Sequence, residues 1–148
     1  MSYQERRAIV SFISTILIST LYSAYMLQRY PDGGAYSPEV FSYWATFFIL
    51  LIPVSIAAKI IIHIVFSIIN TITSNEGEPS LTDERDKLID LKSTRNALYS
   101  FVAGFFLAIG SAAADAPPTI MFILLLGAGI LSQIVADISQ FFFYRRGF

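Results

Sequence analysis

Of 148 residues, 55% are hydrophobic and only 14% are charged, well below the ~25% charged of soluble domains, which excludes an ordinary water-soluble fold. The length suits one membrane domain without a separate soluble one, and the net charge of −1 offers nothing to a nucleic-acid partner. No cysteine is present, which removes disulfides, thiolate metal sites and thiol nucleophiles; the single histidine, His63, removes any multi-histidine metal site within one chain.

Four apolar runs follow one another: Ala8–Leu27, Tyr43–Ile69, Ala97–Ala114 and Thr119–Phe143. A bilayer core ~30 Å thick is crossed by about 20 apolar residues in a helix. The expected fold is therefore all-α: a polytopic membrane protein with four transmembrane helices, forming a single domain over residues 1–148. Arg6-Arg7 before the first run resembles the start of a signal peptide. That run exceeds the ~7–15-residue apolar core of such peptides, and no clear A-x-A site follows, so it reads as a retained span.

After span one, Pro31-Asp32-Gly33-Gly34 supplies a fixed φ, a side-chain acceptor and two permissive glycines, which together specify a turn. Tyr30, Tyr36, Tyr43 and Trp44 cluster around it, as expected of rings at the headgroup level. Span two carries Pro53, which removes a backbone donor and should kink the helix by freeing the Ile49 carbonyl. Lys59 and His63 follow, one turn apart on the same face.

The stretch 71–95 is the longest polar connection. Ser74 to Ser80 reads as flexible. Beyond it, Thr82 is the expected N-cap of a helix, Asp83 and Glu84 suit its positive first turn, and Asp83 can pair with Lys87. No breaker separates this segment from span three, so the third helix should extend into the cytoplasm by about 20 Å. Asp83, Asp86 and Asp90 share a face that attracts a hard cation weakly, but the neighbouring Arg85 and Lys87 and the lack of a ligand loop mark it as a solvated charged face. No metal site or cofactor is expected.

Span three places Ser100, Gly104, Ala108 and Ala112 at four-residue spacing, and span four places Ala128, Ser132 and Ala136 likewise. Small residues on one face let membrane helices approach closely, so these rows should pack as a hairpin within the chain. Asp115-Ala116-Pro117-Pro118 ends span three. Gly127-x-Gly129-x-x-Ser132 imitates a dinucleotide fingerprint, but it lies inside an apolar helix rather than after a strand. Span four closes on Phe141-Phe142-Phe143-Tyr144 and the basic pair Arg145-Arg146.

The basic residues set the orientation. Arg6, Arg7, Arg85, Lys87, Lys92, Arg95, Arg145 and Arg146 lie on one side of a four-span layout, against Arg29 alone on the other. The positive-inside bias makes the first side cytoplasmic, so the protein is expected in the cell membrane with both termini cytoplasmic. Arg6, Arg7, Arg145 and Arg146 then serve as lipid-interface anchors beside anionic phosphates.

Lys59 and Asp137 are the charges inside the apolar runs. An ionised group near the bilayer centre costs at least ~2.5 kcal/mol and usually faces the bundle interior or water. Spans two and four run in the same direction, and the two residues lie at depths about one helical turn apart. Lys59, His63, Gln133 and Asp137 are accordingly expected to form an interhelical polar cluster in the inner half of the membrane; snorkelling of both charges to the interface is the competing reading.

Three passages carry a resemblance: Tyr3-Gln4-Glu5-Arg6-Arg7-Ala8, Asp83-Glu84-Arg85-Asp86-Lys87-Leu88-Ile89 and Tyr144-Arg145-Arg146-Gly147-Phe148. In this order they resemble a family of small four-span prokaryotic membrane proteins classed as a domain of unknown function. Lys92-Ser93-Thr94 departs from the family, where a glycine-containing stretch is expected. The resemblance implies topology and carries no activity with it.

The functional expectation is a non-enzymatic accessory or regulatory component of the inner membrane. Its charged cytoplasmic helix, through Asp83, Glu84, Arg85 and Asp86, would dock a membrane or cytoplasmic protein partner. The alternative is a small transporter or channel, working as a homo-oligomer through Lys59, His63 and Asp137. Small multidrug transporters share the four spans but not the pattern, since no acidic residue lies within span one here. No nucleophile–base pair or other catalytic constellation is visible.

Overall fold

Each apolar run continues into polar flanks as one uninterrupted helix, so the helices are longer than the runs. The computed structural model describes residues 1–34, 36–74 and 83–146. Helix α1 spans Tyr3–Leu27, and the Ser2 hydroxyl caps it by accepting the Glu5 amide at 3.2 Å. That cap satisfies one of the orphan donors of the first turn and lets the helix start ahead of the apolar residues. Helices α2 (Pro38–Ser74) and α4 (Pro118–Arg146) both begin on proline, whose missing N–H and preset φ suit the first helical position. Helix α2 runs on through Pro53.

Helix α3 covers Glu84–Ala113, and its N-cap is Asp83, whose carboxylate accepts the Asp86 amide at 2.8 Å. The cap thus falls one residue after Thr82; Thr82 and the expected flexible stretch through Ser80 lie outside the described residues from position 75 onward. Both residue types cap well, and Asp83 adds a negative charge at the positive helix end. Between α3 and α4 the chain reverses through Asp115, which takes a positive φ of 61°, a conformation that Asp tolerates better than most residues.

The four helices alternate in direction. Tyr3 meets Phe66, with ring centroids 5.5 Å apart, and Tyr43 at the start of α2 reaches Met26 at the end of α1. Likewise, Arg85 at the start of α3 reaches the end of α4. The start of α1, the end of α2, the start of α3 and the end of α4 therefore share one end of the bundle, here the terminal end, and the other helix ends share the turn end. The most extensive interface joins α3 to α4, followed by α1 with α4 and α1 with α2.

All four helices are long and apolar enough to cross a membrane, and the exterior matches that solvent. Ile49, Ile61, Phe106 and Leu107 are 62–69% exposed, while the buried positions include Ala8, Ser14, Thr15, Ala108, Ala128 and Asp137. Large apolar side chains cover the exterior, unlike the soluble pattern, because lipid tails solvate a leucine as well as another leucine does. The chain is a multi-pass membrane protein.

The interior has two layers. Near the turn end, Met26, Val40, Trp44 and Phe47 form a buried apolar cluster, with Tyr22, Tyr43, Phe48 and Phe122 packed against it. Trp44 stacks on Phe122 with centroids 5.6 Å apart and planes 13° apart. Tyr43 donates its hydroxyl to the Met26 carbonyl at 2.6 Å, and Tyr22 donates to the Phe47 carbonyl at 2.7 Å. The Met26 carbonyl, in the last turn of α1, also accepts the Arg29 amide at 3.0 Å, so Tyr43 adds a further bond to it. The second layer, nearer the terminal end, is polar.

Candidate functional site: a buried hydroxyl-bridged charge network

Span one contributes the site's centre through a stripe of hydroxyls. Ser11, Ser14 and Thr15 lie at i, i+3 and i+4, which brings them to one helical face. Ser14 Oγ and Thr15 Oγ1 donate to the Ser11 carbonyl at 2.8 and 2.9 Å. Such back-bonding lets hydroxyls sit in an apolar helix at little cost.

Asp137 on α4 is 3% exposed, which places its carboxylate inside the bundle rather than at an interface. Three side chains meet it: Ser11 Oγ donates to Oδ1 at 2.7 Å, Gln133 Nε2 to Oδ1 at 3.3 Å, and Thr15 Oγ1 to Oδ2 at 3.2 Å. Thr15 has one hydroxyl hydrogen and two acceptors, the Ser11 carbonyl and Asp137, so it serves one at a time. From α2, the Lys59 ammonium donates to Thr15 Oγ1 at 2.8 Å and to Ser11 Oγ at 3.3 Å. Each hydroxyl thus stands between the cation and the anion, and the network joins α1, α2 and α4. His63, one turn beyond Lys59 on α2, lines the polar space beside Ser11, Gln133 and Asp137.

Two of the cavities that touch this network differ sharply in character. A polar one of about 360 Å³ is lined by Arg7, His63, Asp86, Asp90 and Tyr144 among others, and it ends at Ser11, Gln133 and Asp137. These linings come from the terminal end of all four helices. The other, of about 570 Å³, lies between α1, α2 and α4 on the turn side and is walled mainly by apolar residues such as Phe48, Leu51, Phe122 and Leu126. Thr15, Lys59 and Gln133 line it where it meets the network. The network is a partition between the two spaces. Among the described residues no three His, Asp or Glu side chains gather as a metal site would require.

The Asp83–Asp86 block lies at the surface, and three of its side chains bond within the chain. Asp83 caps α3, and Arg85 Nη2 donates to the Phe143 and Tyr144 carbonyls at 3.5 and 3.4 Å, two of the orphan acceptors at the end of α4. Asp86 hydrogen-bonds to the Tyr144 hydroxyl, and Asp90 accepts from Gln140 Nε2 at 3.3 Å. Asp83, Glu84 and Arg85 remain exposed while making these contacts or beside them, and Asp86 is half-buried.

In the small-residue rows, an ideal Cβ on Gly104 would stand 2.5 Å from the Ala128 Cβ and 3.1 Å from its Cα, so α3 and α4 cross in near contact there. Ala108 is fully buried, Ser100, Ser132 and Ala136 are half-buried, and Ala112 is exposed, so the row leaves the interface before its last member. Of the four arginines expected at lipid interfaces, Arg145 lies over Phe141 at 5.7 Å and Arg146 over Phe142 at 5.4 Å. Arg6 is half-buried, and Arg7 lines the polar cavity. Gly147 and Phe148 lie outside the described residues.

Sequence reasoning overlooked Ser11 and Thr15, the residues that connect Lys59 to Asp137; their i, i+4 spacing was the available signal. No family model matches the chain, and neither does a curated protein or a solved structure.

Proposed function

We propose that this protein is a small non-enzymatic transport component of the cell membrane, in which Asp137 exchanges protons with water at the terminal end. The carrying observation is the polar cavity of about 360 Å³ that reaches the buried carboxylate. Hydroxyl bonds alone would hold three helices together; a water-sized polar space leading to the charge serves exchange instead. The charged groups around Asp137 are Lys59 and His63 from α2, Arg7 from α1, and Asp86, Lys87 and Asp90 from α3, with Tyr144 on α4 itself. In this reading, protonation of Asp137 weakens the hold of the bridging hydroxyls on Lys59, and the aromatic layer around Trp44 and Phe47 closes the opposite end. Four helices leave a narrow route, so the working unit is a homo-oligomer.

We assign the terminal end to the cytoplasm from the distribution of basic residues. The order of the motifs at Tyr3–Ala8, Asp83–Ile89 and Tyr144–Phe148 supports grouping the chain with small four-span prokaryotic membrane proteins. The test is proton entry into liposomes carrying the purified protein, driven by a potassium diffusion potential and read by an internal pH-sensitive dye. Flux above empty liposomes, lowered at least tenfold in Asp137→Asn and unchanged in Asp115→Asn, is the expected result. Flux equal to that of empty liposomes contradicts the proposal.

A docking role for the start of α3 is the second reading, favoured by the exposure of Leu88 and Leu91 (46% and 65%) beside Glu84. Because Asp83, Arg85 and Asp86 are engaged within the chain, such a partner would contact Glu84, Leu88 and Leu91. A partner crosslinked in the membrane and lost in Glu84→Lys/Leu91→Asp supports it; self-association alone, unchanged in that variant, removes it.

A further inference from the structure

The apolar cavity carries a ligand assignment of its own. Its volume of about 570 Å³ lies within the ~300–1,000 Å³ of small-molecule sites, which pair apolar walls with a few convergent polar groups. The polar side chains lining it are Thr15, Ser19, Ser55, Lys59 and Gln133. Lys59 is the one charged group among them, and none is acidic: Asp137 lines the polar cavity on the other side of the partition. An ammonium has three donors, and Lys59 gives two of them to Ser11 and Thr15. The third remains for a further acceptor. Lys59 borders both this chamber and a groove beside Tyr3 and Ser67, whereas Ser55, one turn before Lys59 on the same helix, lines only the chamber of the two. Away from this polar wall, Phe48, Leu51, Phe122 and Leu126 offer no polar partner at all.

We propose that this chamber binds a long-chain carboxylate, a fatty-acid anion. Its head group accepts hydrogen bonds from Lys59 and the Ser55 hydroxyl, and its chain lies against Phe48, Phe122 and Leu126. One ammonium matches one monoanionic head, and the cavity suits a single chain rather than a two-chain phospholipid. A neutral amphiphile of equal length forgoes the charge-assisted bond, which is about twice as strong as a neutral one. The assignment does not depend on proton exchange at Asp137.

The single tryptophan supplies the readout. Trp44 is 1% exposed and stacks on Phe122, which lines the chamber. Purified full-length protein in detergent is titrated with a long-chain fatty acid brominated in mid-chain, and with the brominated alcohol of equal length. Saturable quenching of Trp44, reversed by the unbrominated acid and at least tenfold weaker in affinity for the alcohol and in Lys59→Gln, is the expected result. Gly129→Leu is the second variant: Gly129 lines the chamber, and a Cβ there meets nothing within 4 Å. Its side chain fills the space without touching Lys59, so quenching should be lost. Non-saturable quenching, equal affinities for acid and alcohol, or full quenching in Gly129→Leu overturns the assignment. Because binding is read without a gradient, its failure is separable from any failure of proton flux.

Discussion

Lys59 and Asp137 lie on helices that run in the same direction, and two hydroxyls from a third helix stand between them. The ammonium donates to Thr15 Oγ1 at 2.8 Å, and Ser11 donates to the carboxylate at 2.7 Å. Ser11 accepts from the cation while giving its own hydrogen to the anion, and Thr15 does the same whenever its hydrogen is not on the Ser11 carbonyl. Such bridges satisfy both charges in a medium where an unsatisfied one is costly.

Removing a bridge should therefore cost more than a typical membrane hydrogen bond, which averages ~0.6 kcal/mol. Ser11→Ala and Thr15→Val each leave a buried charge short of a partner. Each is expected to destabilise by about 1–2 kcal/mol. Because the two hydroxyls share both charges, the double variant should depart from additivity. Thermal unfolding in detergent, followed by Trp44 fluorescence, checks both statements; additive losses of a few tenths would count against a shared network.

At the α3–α4 crossing the backbone approach is set by the missing side chain of Gly104. Gly104→Ala puts a methyl 2.5 Å from the Ala128 Cβ, so the helices must separate, at an overpacking cost of about 1–3 kcal/mol. Gly110→Ala and Gly127→Ala, with nothing within 4 Å of the new Cβ, should unfold at or above the wild-type temperature, since alanine is the better helix residue.

Tyr43→Phe deletes only the hydroxyl that reaches the Met26 carbonyl at 2.6 Å. The expected loss is about 0.5–1.5 kcal/mol. Tyr99→Phe, at a ring 65% exposed, should be neutral by the same unfolding measurement.

Asp83→Ala removes the N-cap of α3 and should cost about 1 kcal/mol. The effect is local. Hydrogen exchange should quicken in residues 84–88 and stay unchanged around Gly104, whereas uniform acceleration along α3 would show that the cap stabilises the whole helix.

Much of the fold was legible in the hydropathy pattern, because a bilayer leaves a 20-residue apolar run few alternatives to a helix. Lys59 and Asp137 stood out for the same reason: a charge in such a run has few places to go. Ser11 and Thr15 did not stand out. A lone serine or threonine barely lowers the mean hydropathy of an apolar run, so the residues that complete the network resemble ordinary apolar-span serines and threonines. The pairing of Arg85 was illegible for another reason. Arg85 is an exposed charge among others, and it finds its acceptors 58 and 59 positions away at the end of α4; no local pattern encodes that pairing.

The central claim is that water reaches the Asp137 network from the terminal end alone. Because the chain has no cysteine, single cysteines at Gln140, Gln133 and Ser19 can be scanned in liposomes with a membrane-impermeant thiol reagent. Gln140 and Gln133 line the polar cavity, and Ser19 lines the apolar chamber beyond the partition. The account predicts labelling at Gln140→Cys and Gln133→Cys from the terminal side only, with Ser19→Cys inert from both sides. An inert Gln133→Cys, or labelling of it from the turn side, would contradict the account.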